Sequence, residues 1–101
     1  MNVEQQIADL VKDNNIVLFM KGTPDFPHCG FSAKAVALLR ACGSEDFHAV
    51  NVLDDDAIRQ GIKVFSDWPT IPQLYIGGQF VGGSDIIQEM YDAGELQKLL
   101  G

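Results

Sequence analysis

Two thiols are available for chemistry in this chain, Cys29 and Cys42. Cys29 follows an apolar run, Ile16-Val17-Leu18-Phe19-Met20, and a loop holding a glycine and two prolines, Lys21-Gly22-Thr23-Pro24-Asp25-Phe26-Pro27-His28. It precedes a stretch of mostly helix-forming residues that runs to Cys42, with Gly43 where a helix-closing glycine belongs. A cysteine at such a junction meets unpaired backbone N–H groups and the positive end of a helix dipole. Both favour the thiolate, which is the nucleophilic and metal-binding form. Cys42, late in the same helix, reads as a structural cysteine. If residues 29–42 form one helix, the two Cα atoms stand about 20 Å apart. A disulfide needs at most about 7 Å, so the pair cannot bridge.

The tetrapeptide Cys29-Gly30-Phe31-Ser32 has the spacing of a C-x-x-C redox motif with a hydroxyl in place of the second thiol. An internal disulfide is closed to it, whereas a mixed disulfide with an outside thiol is open. Two further segments accompany it. Trp68-Pro69-Thr70-Ile71-Pro72 places a proline at a strand start, where no ladder bond is lost and a cis bond would turn the preceding backbone outward. Gly82-Gly83-Ser84-Asp85 is a glycine turn into a helix N-terminus, a ready anion site.

These segments need a scaffold, and periodicity supplies one. Val3, Ile7, Leu10 and Val11 recur at helical spacing up to about Asn14. Residues 16–20 are too short for a helix and suit a central strand covered on both faces. Phe47 to Val52 alternates as a strand, and Asp54 is expected to cap a third helix carrying Ile58, Ile62 and Phe65, stopped by Pro69. Gln73-Leu74-Tyr75-Ile76 and Gln79-Phe80-Val81 flank Gly77-Gly78, a two-residue hairpin signal. Ser84 is expected to cap a helix through Tyr91 that Gly94 closes, before a last short helix with Leu96, Leu99 and Leu100. The order α-β-α-β-α-β-β-α-α predicts an α/β fold, a four-stranded mixed sheet flanked by helices on both faces.

Composition narrows the function. At 101 residues and 47% apolar content the chain fits one domain, residues 1–101, with a full core. No apolar run approaches the roughly 20 residues of a membrane-spanning helix. The opening residues lack a basic signal-peptide start, so a cytoplasmic location is expected. A net charge of −7 with seven scattered basic residues argues against nucleic acid. Lys34, Arg40, Lys63 and Lys98 read as solvated charges, His28 as a solvated bystander and His48 as structural.

Taken together and in order, Lys21-Gly22-Thr23-Pro24, Cys29-Gly30-Phe31-Ser32, Trp68-Pro69-Thr70-Ile71-Pro72 and Gly82-Gly83-Ser84-Asp85 resemble the monothiol, CGFS-type glutaredoxins over essentially the whole chain. The resemblance implies the thioredoxin fold, with Pro72 as a cis-proline facing the thiol. It implies a glutathione site in which Lys21 meets the tripeptide and the cysteine sulfur, and Arg59 grips the glycine carboxylate. The Ile71 backbone pairs with the glutathione cysteine, and Ser84 and Asp85 receive the γ-glutamyl end. Many relatives carry a cysteine where Ser84 stands, and the hydroxyl removes any second-thiol role there. Two carboxylates and an ammonium on glutathione would meet two cations, a helix N-terminus and one carboxylate.

A [2Fe–2S] cluster usually needs four thiolates. One from each of two chains and one from each of two glutathiones complete the set, which is the bridged homodimer the resemblance implies, monomeric without the cluster. Delivery to apo iron–sulfur client proteins, iron homeostasis and a BolA-family partner follow as expectations. The rival is an oxidoreductase that uses Cys29 to reduce protein–glutathione mixed disulfides. The long loop from Lys21 to Cys29 counts against efficient turnover, so any such activity is expected to be weak. A redox-inert interaction module leaves Cys29, Lys21 and Arg59 without a shared purpose.

Overall fold

The run Ile16–Met20 alternates between two cores, and this alternation organises the molecule. In the computed structural model, which describes residues 2–101, Val17 and Phe19 enter one apolar cluster while Leu18 and Met20 enter another. All four are fully buried. Successive side chains of a strand point to opposite faces, so a continuous apolar run demands cover on both.

The elements are α1 (Val3–Asp13), β1 (Ile16–Met20), α2 (Gly30–Ala41), β2 (His48–Asn51), α3 (Asp56–Ser66), β3 (Gln73–Ile76), β4 (Gln79–Gly82), α4 (Ser84–Asp92) and α5 (Glu95–Leu100). The strands form one sheet in the order β2-β1-β3-β4. β1 and β2 are parallel, and the other two pairings are antiparallel. Ile7 and Val11 of α1 pack with Ile58 and Ile62 of α3 on one face. Leu38 and Leu39 of α2, Ile87 of α4 and Leu96 of α5 cover the other. The expected element order and mixed sheet are thus present, with β2 shorter than residues 47–52 and His48 exposed at its start.

Local chemistry sets the boundaries. Asn2 caps α1 by accepting from the Gln5 N–H at 2.8 Å. Gly43 (φ +81) closes α2, with Gly43 N–H donating to Arg40 O and Ser44 N–H to Leu39 O. Gly77 and Gly78 take φ of +60° and +79°, as a primed hairpin turn requires. Three expectations shift. Asp55, not Asp54, caps α3, its Oδ1 accepting from Ile58 N–H at 3.2 Å, while the Asp54 N–H is spent on Asn51 O in the preceding turn. α3 stops at the left-handed Asp67, ahead of Pro69; Trp68 N–H returns to Lys63 O and Asp67 N–H to Val64 O. Gly83, not Ser84, occupies the cap position of α4, and Ser84 is its first helical residue. A Cβ on Gly83 would lie 3.3 Å from Trp68 Nε1 and 3.4 Å from Pro72 O, so close approach of these segments favours glycine there.

Tyr75 is the hub of the α1/α3 core. Its ring meets Phe19 edge-on at 5.7 Å and lies 6.1 Å from Phe65 and 5.4 Å from Phe80. Its hydroxyl is buried without a hydrogen-bond partner. Burial pushes the phenol up to about 12, outweighing the opposing influence of the neighbouring Ser66 hydroxyl. Because the folded pKa is raised, the neutral form is favoured. The contribution is intact below the unfolded value of about 10 and is lost as pH rises toward about 12. Tyr75→Phe should therefore match or exceed the parent's stability at neutral pH, by up to about 1 kcal/mol. Thermal unfolding at pH 7 and above pH 10 checks this: the parent loses more on alkalinisation than the variant.

Candidate functional site

Cys29 occupies the cap position of α2 in extended conformation (φ −150°), and its carbonyl accepts the Ala33 N–H at 2.9 Å. The sulfur is half-buried and forms no cap hydrogen bond of its own. It nevertheless faces the first turn, and the Ser32 N–H is the main influence drawing its pKa below the ordinary thiol value. Partial burial opposes this, while the Phe31 N–H, the Lys21 ammonium and the Ser32 hydroxyl add to it. Cys42 lies at the far end of the same helix, and both thiols are free.

The loop ahead of Cys29 is held on three sides. Lys21 N–H donates to the fully buried Ser32 Oγ at 3.1 Å, and His28 N–H returns to Lys21 O at 3.0 Å. Asn51, at the end of β2, accepts from Gly22 N–H at 2.9 Å and Leu53 N–H at 3.0 Å through one Oδ1. Arg40 reaches back from α2 to the Asp25 carboxylate at 2.9 Å and the Pro24 carbonyl at 3.5 Å. It is therefore a loop clasp rather than the solvated charge expected. The ion pair is substantially exposed and by itself worth at most about 1 kcal/mol. Gly22 has φ +92°, and a Cβ there would fall 2.6 Å from both His28 Cδ2 and Phe26 O.

A cleft of about 400 Å³ opens beside the sulfur. That volume lies within the range that takes small-molecule ligands. Lys21 and Cys29 bound it with Phe31; Pro69, Thr70, Ile71 and Pro72 form one wall; Ser84 and Asp85 bring the start of α4. The Ile71–Pro72 bond is cis, as the resemblance implied. The fully buried Gln73 holds this wall, its Nε2 donating to Trp68 O and Thr70 O at 3.0 Å each. Five of the six expected site residues thus converge on one cleft: Lys21, Cys29, Ile71, Ser84 and Asp85. Arg59 does not line it. Lys63, which had read as a solvated charge, does line it at the α3 edge. The two are four residues apart and share a helix face, and Lys63 stands one turn nearer the Trp68–Pro72 wall. That spacing was the available signal. Ser32, Asn51, Arg40 and Gln73 act through loops they do not belong to, which no local motif reveals.

Residues 16–81 match the family model described as Glutaredoxin. The chain is 56% identical over 98 residues to the mitochondrial monothiol glutaredoxin-5 of Schizosaccharomyces pombe, covering 95% of this chain and 67% of that protein. The chain belongs to the monothiol glutaredoxin family. A probable monothiol glutaredoxin 2 of Rickettsia typhi is 54% identical, over 93% of this chain and 84% of the relative. The solution structure of reduced poplar apo GrxS14 superposes with a TM-score of 0.82 at 47% identity, covering 97% of this chain and 89% of that one. The mixed sheet is therefore that of the thioredoxin fold, and family membership implies use of glutathione.

The site of this glutaredoxin makes three predictions. Gly22→Ala forces a left-handed backbone and a contact with the loop's own atoms, at a cost of about 1–3 kcal/mol; chemical denaturation should show it. The depressed thiol pKa means that more Cys29 is thiolate at neutral pH than in an ordinary cysteine. Its alkylation by iodoacetamide, followed against pH in a Cys42→Ser background, should have a midpoint below that of an unperturbed cysteine. Lys21→Met should move that midpoint upward, and an unchanged profile would exclude the lysine's part.

Proposed function

We propose that residues 1–101 act as one glutaredoxin domain that binds glutathione in this cleft and, as a pair of chains, carries a bridging [2Fe–2S] cluster. The observation that carries the reading is the isolation of one thiolate-favouring cysteine at the mouth of a cleft lined by Lys21, Lys63, Asp85 and the start of α4. Those charges match a tripeptide with two carboxylates and an ammonium. Among the described residues no group of three or more His, Cys, Asp or Glu side chains is placed to hold a metal. Four thiolate ligands would thus have to come from Cys29 of two chains and from two glutathiones. The donor chemistry fits, because a half-exposed thiolate can be shared across an interface.

The chain's own residues supply binding and charge. Lys21 and Lys63 would receive carboxylates, and Ile71 would offer its backbone to the tripeptide. The N–H groups at the start of α4, with Asp85, would take the γ-glutamyl end. Glutathione ligands are exchangeable, so the cluster is cargo held for release to apo iron–sulfur proteins, in the service of iron homeostasis. A BolA-family protein is the proposed alternative partner for one chain. The proposed location is cytosolic, a reducing compartment in which Cys29 stays a free thiol.

The accessible thiolate also supports a second reading, reduction of protein–glutathione mixed disulfides. Cys29 Sγ would attack the glutathione sulfur, releasing the protein thiolate and forming a Cys29–glutathione disulfide. A second glutathione thiolate would then regenerate Cys29 and leave as glutathione disulfide. Ser32 cannot intercept the intermediate.

Anaerobic reconstitution with iron and sulfide, with and without glutathione, separates the readings. The cluster reading expects a visible chromophore that requires glutathione, doubles the apparent mass and vanishes in Cys29→Ser. A chromophore retained in Cys29→Ser, or none at all, would sink it. Rapid turnover of a glutathionylated peptide would promote the oxidoreductase instead.

A further inference from the structure

We propose that Gln73 is a positioning residue that fixes the ligand-facing backbone of residues 68–71 so that the cleft selects a peptide thiol over a simple one. The proposal rests on the glutathione reading above.

Gln73 lies at the start of β3, paired in register with Phe19 of the central strand and fully buried. Its backbone is thus set by pairing to the central, buried strand. The side chain shares a face with Tyr75, two residues on. From there its carboxamide nitrogen donates to Trp68 O and Thr70 O. Two carbonyl acceptors require the NH₂ end at that position, so the amide orientation is determined by its partners. Its Oε1 is left buried with no partner.

That deficit is informative. A residue needed only to fill volume would be an aliphatic side chain, without a buried unpaired acceptor. What Gln73 alone supplies is two donors on one buried arm. They draw the Trp68 and Thr70 carbonyls inward and turn the intervening peptides toward the cleft. Among the described residues, neither the N–H nor the C=O of Ile71 takes part in an internal hydrogen bond. Ile71 lines the cleft while its side chain is buried. Its backbone is therefore available to an extended peptide. A small thiol without amide groups has nothing to pair with that edge.

The test compares two disulfides in a Cys42→Ser background, so that Cys29 alone reports. In each reaction the Cys29 thiolate forms a bond to one sulfur of the disulfide, and the other sulfur leaves as thiolate. Equilibrium constants are measured by intact mass with glutathione disulfide and with 2-hydroxyethyl disulfide. The parent should favour the glutathione adduct. Gln73→Met, close in volume but without donors, should lower that preference by about threefold to tenfold, the weight of one neutral hydrogen bond. The constant for 2-hydroxyethyl disulfide should not change. An unchanged preference in a folded Gln73→Met protein, or an equal fall in both constants, overturns the proposal and leaves the glutathione reading standing. A parent without preference overturns both. If Gln73→Met does not fold, Gln73→Asn decides, since it keeps the donors on a shorter arm: a reduced preference supports positioning and an unchanged one rejects it.

Discussion

A single hydrogen bond joins the two halves of the site. The Lys21 N–H, one step beyond β1, donates to Ser32 Oγ in the first turn of α2. It fixes where the strand ends relative to where the helix begins, and Cys29 lies between. With that distance set, Lys21 can act on the sulfur, the loop must fold back on itself, and the thiol is presented to the cleft rather than to the core. The hydroxyl at position 32 is therefore more than the residue left when a second thiol is absent. A buried serine that receives a backbone donor is a structural joint, and its loss would leave the Lys21 N–H unpaired.

Charge at the site runs against charge on the molecule. The chain carries −7 overall, a field unfavourable to an anionic ligand at long range. Within a Debye length of about 10 Å in ordinary salt, local groups dominate. Here these are two lysines from different elements, the start of α4 and the first turn of α2. The arrangement depends on helix ends as much as on side chains, which explains how so few basic residues suffice.

Much of this was legible in the sequence. The apolar run 16–20, the Gly77-Gly78 turn and the closing Gly43 state their geometry locally, because period-2 burial and positive φ are written in residue types. The convergence of Lys21, Cys29, Ile71, Ser84 and Asp85 followed from ordered motifs. What could not be read was mostly long-range. Asn51 and Arg40 bond to segments 15 to 29 residues away, which periodicity does not encode. Gln73 reaches carbonyls only three and five residues back, but a polar side chain on a strand looks alike whether it faces water or a buried carbonyl. Lys63 lines the cleft, and Arg59 stands one helical turn earlier on the same face of α3. The shifts from Asp54 to Asp55 and from Ser84 to Gly83 are single-residue boundary effects.

Trp68 is the sole tryptophan in the chain and sits between these parts. Its carbonyl is held by Gln73, its ring lies 6.0 Å from Phe80, and its indole nitrogen borders Gly83 at the start of α4. At 39% exposure it is neither solvated nor sealed. The molecule therefore carries one indole fluorophore, placed directly behind the wall of its cleft. Its emission would report occupancy of the wall and the helix start without any label, and an iron–sulfur chromophore nearby would darken it. The same indole that closes the gap behind the wall makes the state of the site optically visible.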